Sequence, residues 1–212
     1  MKTIFTNWSL FLPFLDLFIS LCGIGMLESM LAPHLKQTGA STSDVGISFL
    51  IYGGCYMIGM IIAGLVDKIC KPIWCSLFGN VLFLATFLFI GPLPRLNIVP
   101  SLTLIQEMMS LAGFAYSFMM VSSFSRAQSY AICIGFADDI QTYVMISGVW
   151  TSAFSLGNFV GPTIGGILVE MKGFQITTFY FCILYVIMIM LDIIDTINLY
   201  KRNQYQRLHN KL

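Results

Sequence analysis

The sequence predicts an all-α membrane protein with six transmembrane helices, and three observations lead to this class. Of the 212 residues, 57% are hydrophobic and only 10% are charged, whereas ordinary soluble domains carry roughly 25% charged residues. The apolar residues occur in blocks of about twenty, the length of helix that crosses roughly 30 Å of hydrocarbon. Polar, proline-containing or glycine-containing breaks separate six such blocks.

The blocks define the expected order of elements along the chain. The predicted spans cover residues 10–32, 45–66, 73–92, 101–124, 142–169 and 175–199. The only longer connection is predicted at residues 125–141. Residues 1–200 are expected to form one transmembrane domain, followed by a basic tail at 201–212. The first block has a single lysine before it and no small-residue cleavage site, so we expect it to remain in the mature protein.

The distribution of Lys and Arg predicts the orientation, because positively charged loops stay on the cytosolic side during insertion. An even number of spans places both termini on the same side. On that side lie eight basic residues, namely Lys2, Lys68, Lys71, Arg126, Lys201, Arg202, Arg207 and Lys211. On the other side lie three, Lys36, Arg95 and Lys172. Both termini are therefore predicted to be cytosolic.

Several functional classes are disfavoured. The net charge of +1 gives no reason to expect a nucleic-acid partner. The six cysteines form no CxxC pair and are expected to pack as small hydrophobes. No metal site is expected at His34, which has no cysteine or histidine at ligand spacing. No Walker loop, HExxH or GxSxG motif occurs, so neither an enzyme nor an ATP-driven pump is expected, and no cofactor is implied.

The connection between the second and third spans has the sequence Gly-Leu-Val-Asp-Lys-Ile-Cys-Lys-Pro at residues 64–72. It resembles the signature loop of the major facilitator superfamily, which lies at this position in each six-helix half and closes the cytosolic gate. The resemblance implies gate roles for Gly64, Asp67, Lys68 and Lys71. Cys70 stands where the family often has a basic residue, and an ordinary positively charged hairpin is the alternative.

The fifth span contains glycines at every fourth position, which places them on one helix face and lets two backbones pack closely. The predicted packing residues are Gly157, Gly161, Pro162, Gly165 and Gly166. The Gly-Pro-x-x-Gly-Gly element at 161–166 resembles the eleventh helix of the vesicular amine transporters, solute carrier family 18. Residues 25–35, 135–139 and 147–150 also resemble that family, most closely its vesicular polyamine transporter branch.

This resemblance covers about residues 10–200 and corresponds to helices seven to twelve of a twelve-helix fold. It implies half of a major facilitator superfamily fold, acting in proton-coupled antiport of small organic cations, amines or polyamines, into vesicles or another endomembrane compartment. The expected partners are the cationic substrate, protons, the lipid bilayer, and either a second six-helix half or a second copy. The alternative is a non-transporting or truncated membrane protein that assembles with or regulates other carriers.

Ionisable residues inside spans are costly and therefore suggest function. Glu28 is the strongest candidate for binding substrate or a proton, because Gly23 and Gly25 precede it and Pro33 follows it. The resemblance implies an acidic residue facing the amine at this position, and an interfacial or packing role is the alternative. Glu107 is a weaker candidate for the cavity. Tyr116 offers a hydroxyl or an aromatic face to a cation.

Three further charged residues are expected to have structural roles, and a fourth, Asp16, is a functional candidate without an assigned role. Asp192 and Asp195 lie three residues apart on one helix face, and we expect them to pair with the basic tail. Asp67 is expected to stabilise the N-terminus of a neighbouring helix or to meet Arg126. Asp16 is also ionisable within a span, and the sequence assigns it no partner.

Overall fold

The fold is a bundle of long α-helices, seen in a computed structural model that describes residues 7–37, 39–91 and 101–209, with the backbone alone described at 37 and 200–209. The helices are α1 (Trp8–Gln37), α2 (Thr42–Asp67), α3 (Pro72–Ile90), α4 (Leu102–Cys133), α5 (Ile140–Lys172) and α6 (Phe174–His209). No strand occurs in these ranges. All six helices are long and apolar enough to cross a membrane. The predicted fold class is confirmed.

One predicted boundary is wrong. The fourth span was expected to end at 124, followed by a connection at 125–141, but α4 continues to Cys133 and the connection is only residues 134–139. The polar residues after 124 suggested a break, yet Arg126 is 1% exposed and its partners lie inside the bundle. A polar side chain with internal partners does not need to leave the helix.

The sixth helix also extends beyond its predicted span. The part of α6 found apolar enough to cross a membrane is Phe174–Leu199, within the residues whose side chains the structure describes. Its helical backbone continues through part of the predicted tail to His209. The boundary between domain and tail at residue 200 stays a prediction.

Local sequence explains several helix ends. Ser41 and Asp44 form a capping box at the start of α2, with the Ser41 N–H donating to Asp44 Oδ2 at 2.9 Å. Asp139 caps α5 by accepting from the Thr142 N–H at 2.9 Å, and the hydrogen bonds from Thr142 hold the pKa of Asp139 below its usual range. Gly173, at φ +86°, adopts the left-handed conformation that separates α5 from α6.

The helices differ in how much of their surface the bundle covers. Over the apolar 18-residue stretch of each helix, 78% of α1 is buried by the bundle. The corresponding buried shares of α2 and α5 are only 17% and 22%. Leu50 and Ile61 on α2 are exposed, as are Phe159 and Ile164 on α5. α1 is therefore the central helix, while α2 and α5 present broad apolar surfaces to lipid or to another helical unit.

α1 and α5 pack closely along the glycine face. A Cβ atom added at Gly161 would lie 2.6 Å from the Cys22 carbonyl oxygen and 2.7 Å from Cys22 Cα. One added at Gly157 would lie 2.6 Å from Leu21 Cβ. The same α5 face continues at Gly165, beside Met26, and at Gly166, beside the end of Met30. The backbone of α1 thus occupies the space that side chains on α5 would need.

Pro162 contributes to the same contact from the α5 side. Its Cδ atom would lie 2.7 Å from a Cβ atom added at Gly25 of α1. Small residues on both helices therefore bring the two backbones together at one level of the bundle.

Candidate functional site

Glu28 lies on an open side of α1. It is twenty residues from Trp8, which places it roughly 30 Å along the helix from that end. Its side chain is exposed. Its carboxylate interacts electrostatically with the hydroxyl groups of Tyr52 on α2 and Tyr116 on α4. Glu28 is thus near tyrosines from two other helices.

These tyrosines belong to a small aromatic group that α2 and α4 build together. The rings of Tyr56 and Tyr116 stack with their centroids 5.0 Å apart and an interplanar angle of 30°. Gly113 permits this approach, because a Cβ atom there would lie 2.9 Å from the Tyr56 backbone nitrogen and would also meet the Tyr52 carbonyl. We call Glu28, Tyr52, Tyr56 and Tyr116 the tyrosine face.

The tyrosine face has the chemistry of a cation site. A carboxylate supplies negative charge, and the faces of aromatic rings attract cations through their quadrupoles. Sequence reasoning identified Glu28 and Tyr116 but missed Tyr52 and Tyr56. Their four-residue spacing on an apolar helix was the available signal, since it places both tyrosines on one side of α2.

The position of Glu107 along α4 places it away from the tyrosine face. It precedes Tyr116 by nine residues on α4, which corresponds to about 13 Å along the axis and half a turn around it. Its side chain is exposed, and its carbonyl oxygen accepts a hydrogen bond from Ser110 Oγ at 2.6 Å. The proposed role of Glu107 in the cavity stays a prediction.

The predicted gate loop joins α2 to α3. Asp67 is the last residue of α2, and its carboxylate accepts a short hydrogen bond from Ser125 of α4. The expectation that Asp67 would meet Arg126 is wrong, because Arg126 points to other carboxylates. Lys68 and Lys71 are exposed at the helix ends. A Cβ atom at Gly64 would meet nothing within 4 Å, so no close helix approach occurs there.

A second polar site lies inside the bundle, and the sequence did not predict it. Arg126 Nη1 lies 2.5 Å from Asp192 Oδ1 and 3.3 Å from Asp16 Oδ2, while Nη2 lies 3.1 Å from Asp195 Oδ2. All four side chains are 0–1% exposed. The expected pairing of Asp192 and Asp195 with the basic tail is therefore wrong. They face inward, where a buried guanidinium satisfies them.

Polar side chains from α3 and α4 complete this cluster. Ser76 Oγ lies 2.5 Å from Asp16 Oδ2, and Asn80 Nδ2 lies 2.9 Å from Asp16 Oδ1. The Tyr130 hydroxyl donates to Asp195 at 3.0 Å. We call Asp16, Ser76, Asn80, Arg126, Tyr130, Asp192 and Asp195 the buried cluster. It ties α1, α3, α4 and α6 together at one level.

The buried cluster lies at the same end of the bundle as the gate loop. Asp16 is eight residues from Trp8, about 12 Å into α1, and Glu28 is about 18 Å further along the same helix. A cavity of about 590 Å³ at this end is lined by Trp8, Lys71, Arg126, Tyr130 and other residues, and by no member of the tyrosine face. The chain thus has two separate polar sites.

Neither site, within the described residues, has side chains arranged to bind a metal ion. In the ranges that the structure describes, no group of three His, Cys, Asp or Glu side chains is arranged to hold a metal ion.

Comparison with known proteins supports a transporter family. The chain is 30% identical to the MFS-type transporter SLC18B1 of Rattus norvegicus over 165 residues, covering 76% of this chain and 36% of the relative. The human protein of that name is 31% identical over 143 residues, 66% of this chain and 31% of the relative. An uncharacterised MFS-type transporter of Methanocaldococcus jannaschii is 25% identical over 188 residues, covering 85% of this chain and 42% of the relative.

These alignments cover only part of each relative. The chain spans about a third of the length of the mammalian relatives it matches. No family model matches the chain.

Proposed function

Because the chain belongs to the family of these MFS-type transporters, we propose that it forms one six-helix half of a secondary active carrier. The carrier exchanges protons for small organic cations, amines or polyamines. The proposal places it in a vesicle or other endomembrane, with both termini in the cytosol. The distribution of basic residues supports this orientation even without the buried Arg126, because seven others lie on the proposed cytosolic side against three on the opposite side.

A complete carrier requires a second half. Transporters of this architecture bind substrate near the bilayer midplane, between two structural repeats that rock against each other. The broad apolar surfaces of α2 and α5 suit contact with such a unit, because the bundle itself leaves them uncovered. A second six-helix segment or a second copy of this chain would supply the second half.

The observation that carries the proposal is the tyrosine face. Glu28 is an exposed carboxylate on a membrane helix, and it interacts with Tyr52 and Tyr116. A carboxylate in a span is costly unless it has a partner. An organic cation bound between Glu28 and the tyrosine rings would provide both a counter-charge and a cation–π contact.

The same carboxylate suits exchange of protons for amines. A protonated amine and a proton compete for one negative charge, so binding of one favours release of the other. Glu28 then binds the amine while its carboxylate is ionised, and it releases the amine when the carboxylate takes up a proton. This competition is the minimum requirement for antiport through a single acidic residue.

The experiment measures uptake of a labelled polyamine, driven by a pH gradient, into vesicles that contain a complete carrier built with this half. Glu28→Gln keeps the shape of the side chain and removes its charge. We expect it to abolish uptake or to raise the apparent affinity constant at least about tenfold, equivalent to roughly 1.4 kcal/mol.

Glu170→Gln is the matched control, since Glu170 is an exposed glutamate near the end of α5. That variant should transport as the unmodified carrier does. A correctly folded Glu28→Gln carrier with unchanged uptake over the whole accessible pH range would remove Glu28 from the mechanism.

A further inference from the structure

The buried cluster contains more carboxyl groups than counter-charges. Asp16, Asp192 and Asp195 surround one guanidinium, that of Arg126, and each of these side chains is at most 1% exposed. Fully ionised, the cluster would carry two uncompensated negative charges. Uncompensated charge is very costly away from water. The cluster must therefore gain positive charge, and the hydrogen-bond geometry shows where.

Asp195 is satisfied as a carboxylate. It accepts from Ser9 Oγ at 2.6 Å, from the Tyr130 hydroxyl at 3.0 Å and from Arg126 Nη2 at 3.1 Å. Asp16 and Asp192 also have three donor groups each, but these are the same three, namely Ser76, Asn80 and Arg126 Nη1. Ser9 and Tyr130, in contrast, donate to Asp195 alone among the three aspartates. The proton in question therefore belongs to the other two carboxyl groups.

Asp16 and Asp192 share one hydroxyl group. Ser76 Oγ lies 2.5 Å from Asp16 Oδ2 and 3.1 Å from Asp192 Oδ2. A serine hydroxyl has only one proton, so it can donate to only one of these oxygens. The carboxyl oxygen that receives no proton from Ser76 then faces the serine oxygen with no proton between the two atoms. This contact becomes a hydrogen bond if that carboxyl group is itself protonated and donates to Ser76.

Asn80 provides an independent indication. Its side chain is completely buried, and Nδ2 lies between the two carboxyl groups, 2.9 Å from Asp16 Oδ1 and 3.1 Å from Asp192 Oδ2. One amide nitrogen thus holds the two carboxyl groups side by side, close enough for their negative charges to repel each other. A proton on one of the two groups removes that repulsion.

Among the side chains that the structure describes, no other packed helix supplies the missing charge. α3 contributes Ser76 and Asn80, which are neutral, and α4 contributes Arg126 and the phenol of Tyr130. α6 adds Asp195 and the phenol of Tyr185, which interacts electrostatically with Asp16. α5 packs on α1 through glycines. In the described part of the chain, the cation paired with these carboxylates is Arg126.

We propose that Asp16 and Asp192 form a carboxyl pair that holds one shared proton at neutral pH, a proton-binding site separate from Glu28. Binding this proton leaves the pair with one negative charge and lowers the net charge of the whole cluster from −2 to −1, with Arg126 between the pair and Asp195. Because Asp16 is on α1 and Asp192 on α6, movement of these helices apart would separate the two carboxyl groups and release the proton. The use of this step in transport rests on the proposed function, whereas the shared proton does not.

The test is infrared absorption of the purified 212-residue chain in lipid vesicles at neutral pH, recorded in H2O and D2O. A protonated buried carboxyl group gives a C=O band that shifts in D2O. We expect this band in the unmodified protein and in Glu28→Gln. We expect Asp16→Asn and Asp192→Asn each to lose the absorbance of one protonated carboxyl group, because the remaining carboxylate then pairs with Arg126.

Absence of the band from the unmodified protein would overturn the proposal, as would its persistence in both aspartate variants. Loss of the band in only one of the two aspartate variants would assign the proton to the substituted carboxyl group alone. That result would also overturn the shared site. If either variant fails to fold, Ser76→Ala decides, since both carboxyl groups remain. The band frequency must then change, and an unchanged frequency contradicts the pair. None of these outcomes depends on whether the chain transports.

Discussion

Arg126 shows why residues near a span end are difficult to place from sequence. A basic residue after an apolar block predicts a cytosolic loop, and the sequence contains no local indication to the contrary. Its partners Asp16 and Asp192 are 110 and 66 residues away. Such pairs form only when α1, α4 and α6 assemble. The sequence suggested Glu28 because a carboxylate in a span is costly, and Tyr116 because its ring can face a cation; the roles of both residues stay predictions.

At the residue scale, Arg126→Met should destabilise the chain strongly. Removing the guanidinium leaves buried carboxyl groups without a counter-charge, and breaking a buried ion pair in this way costs about 3–5 kcal/mol. The midpoint of thermal unfolding in detergent should therefore fall clearly below that of the unmodified protein. Lys172→Met is the control, because Lys172 is exposed.

A double variant makes this prediction specific. Asp195→Asn removes one of the carboxylates that Arg126 neutralises, so adding it to Arg126→Met should recover part of the lost stability. The ion-pair interpretation would be contradicted if the two substitutions lowered the unfolding midpoint additively. It would also be contradicted if Arg126→Met unfolded at the same temperature as the Lys172→Met control.

At the element scale, α1 and α5 show which part of the packing is predictable. Glycines four residues apart lie on one helix face by geometry alone, so the sequence identified the face at Gly157, Gly161 and Gly165. It did not identify the helix that packs there, because α1 and α5 are far apart along the chain. The opposing surface is the backbone around Cys22, which has no distinctive side-chain pattern.

The corresponding prediction compares two leucine substitutions on α5. Gly161→Leu should lower stability by about 1–3 kcal/mol or prevent assembly, because overpacking forces backbone shifts and the obstructing atoms are the α1 backbone. Gly148→Leu should be tolerated, since a Cβ atom there meets nothing within 4 Å. Detergent stability and yield of the two variants measure the difference. Equal behaviour of both variants would contradict the close contact between α1 and α5.

At the scale of the whole molecule, hydrophobicity determined the number of spans, and it placed most of their ends close to those observed. It could not predict the internal polar organisation. The tyrosine face and the buried cluster lie about 18 Å apart along α1. Each one combines residues from several helices. Their separation places the tyrosine face and the buried cluster at different depths of the six-helix bundle.

The most direct measurement of the central claim is amine accumulation in vesicles that contain a complete carrier with this chain as one half. With the vesicle interior acidic, a labelled polyamine should accumulate against its concentration gradient. Collapse of the pH gradient by a proton ionophore should release it, and vesicles without this chain should accumulate none. Accumulation that is unaffected by the ionophore, or no accumulation by a correctly folded carrier, would contradict proton-coupled amine antiport.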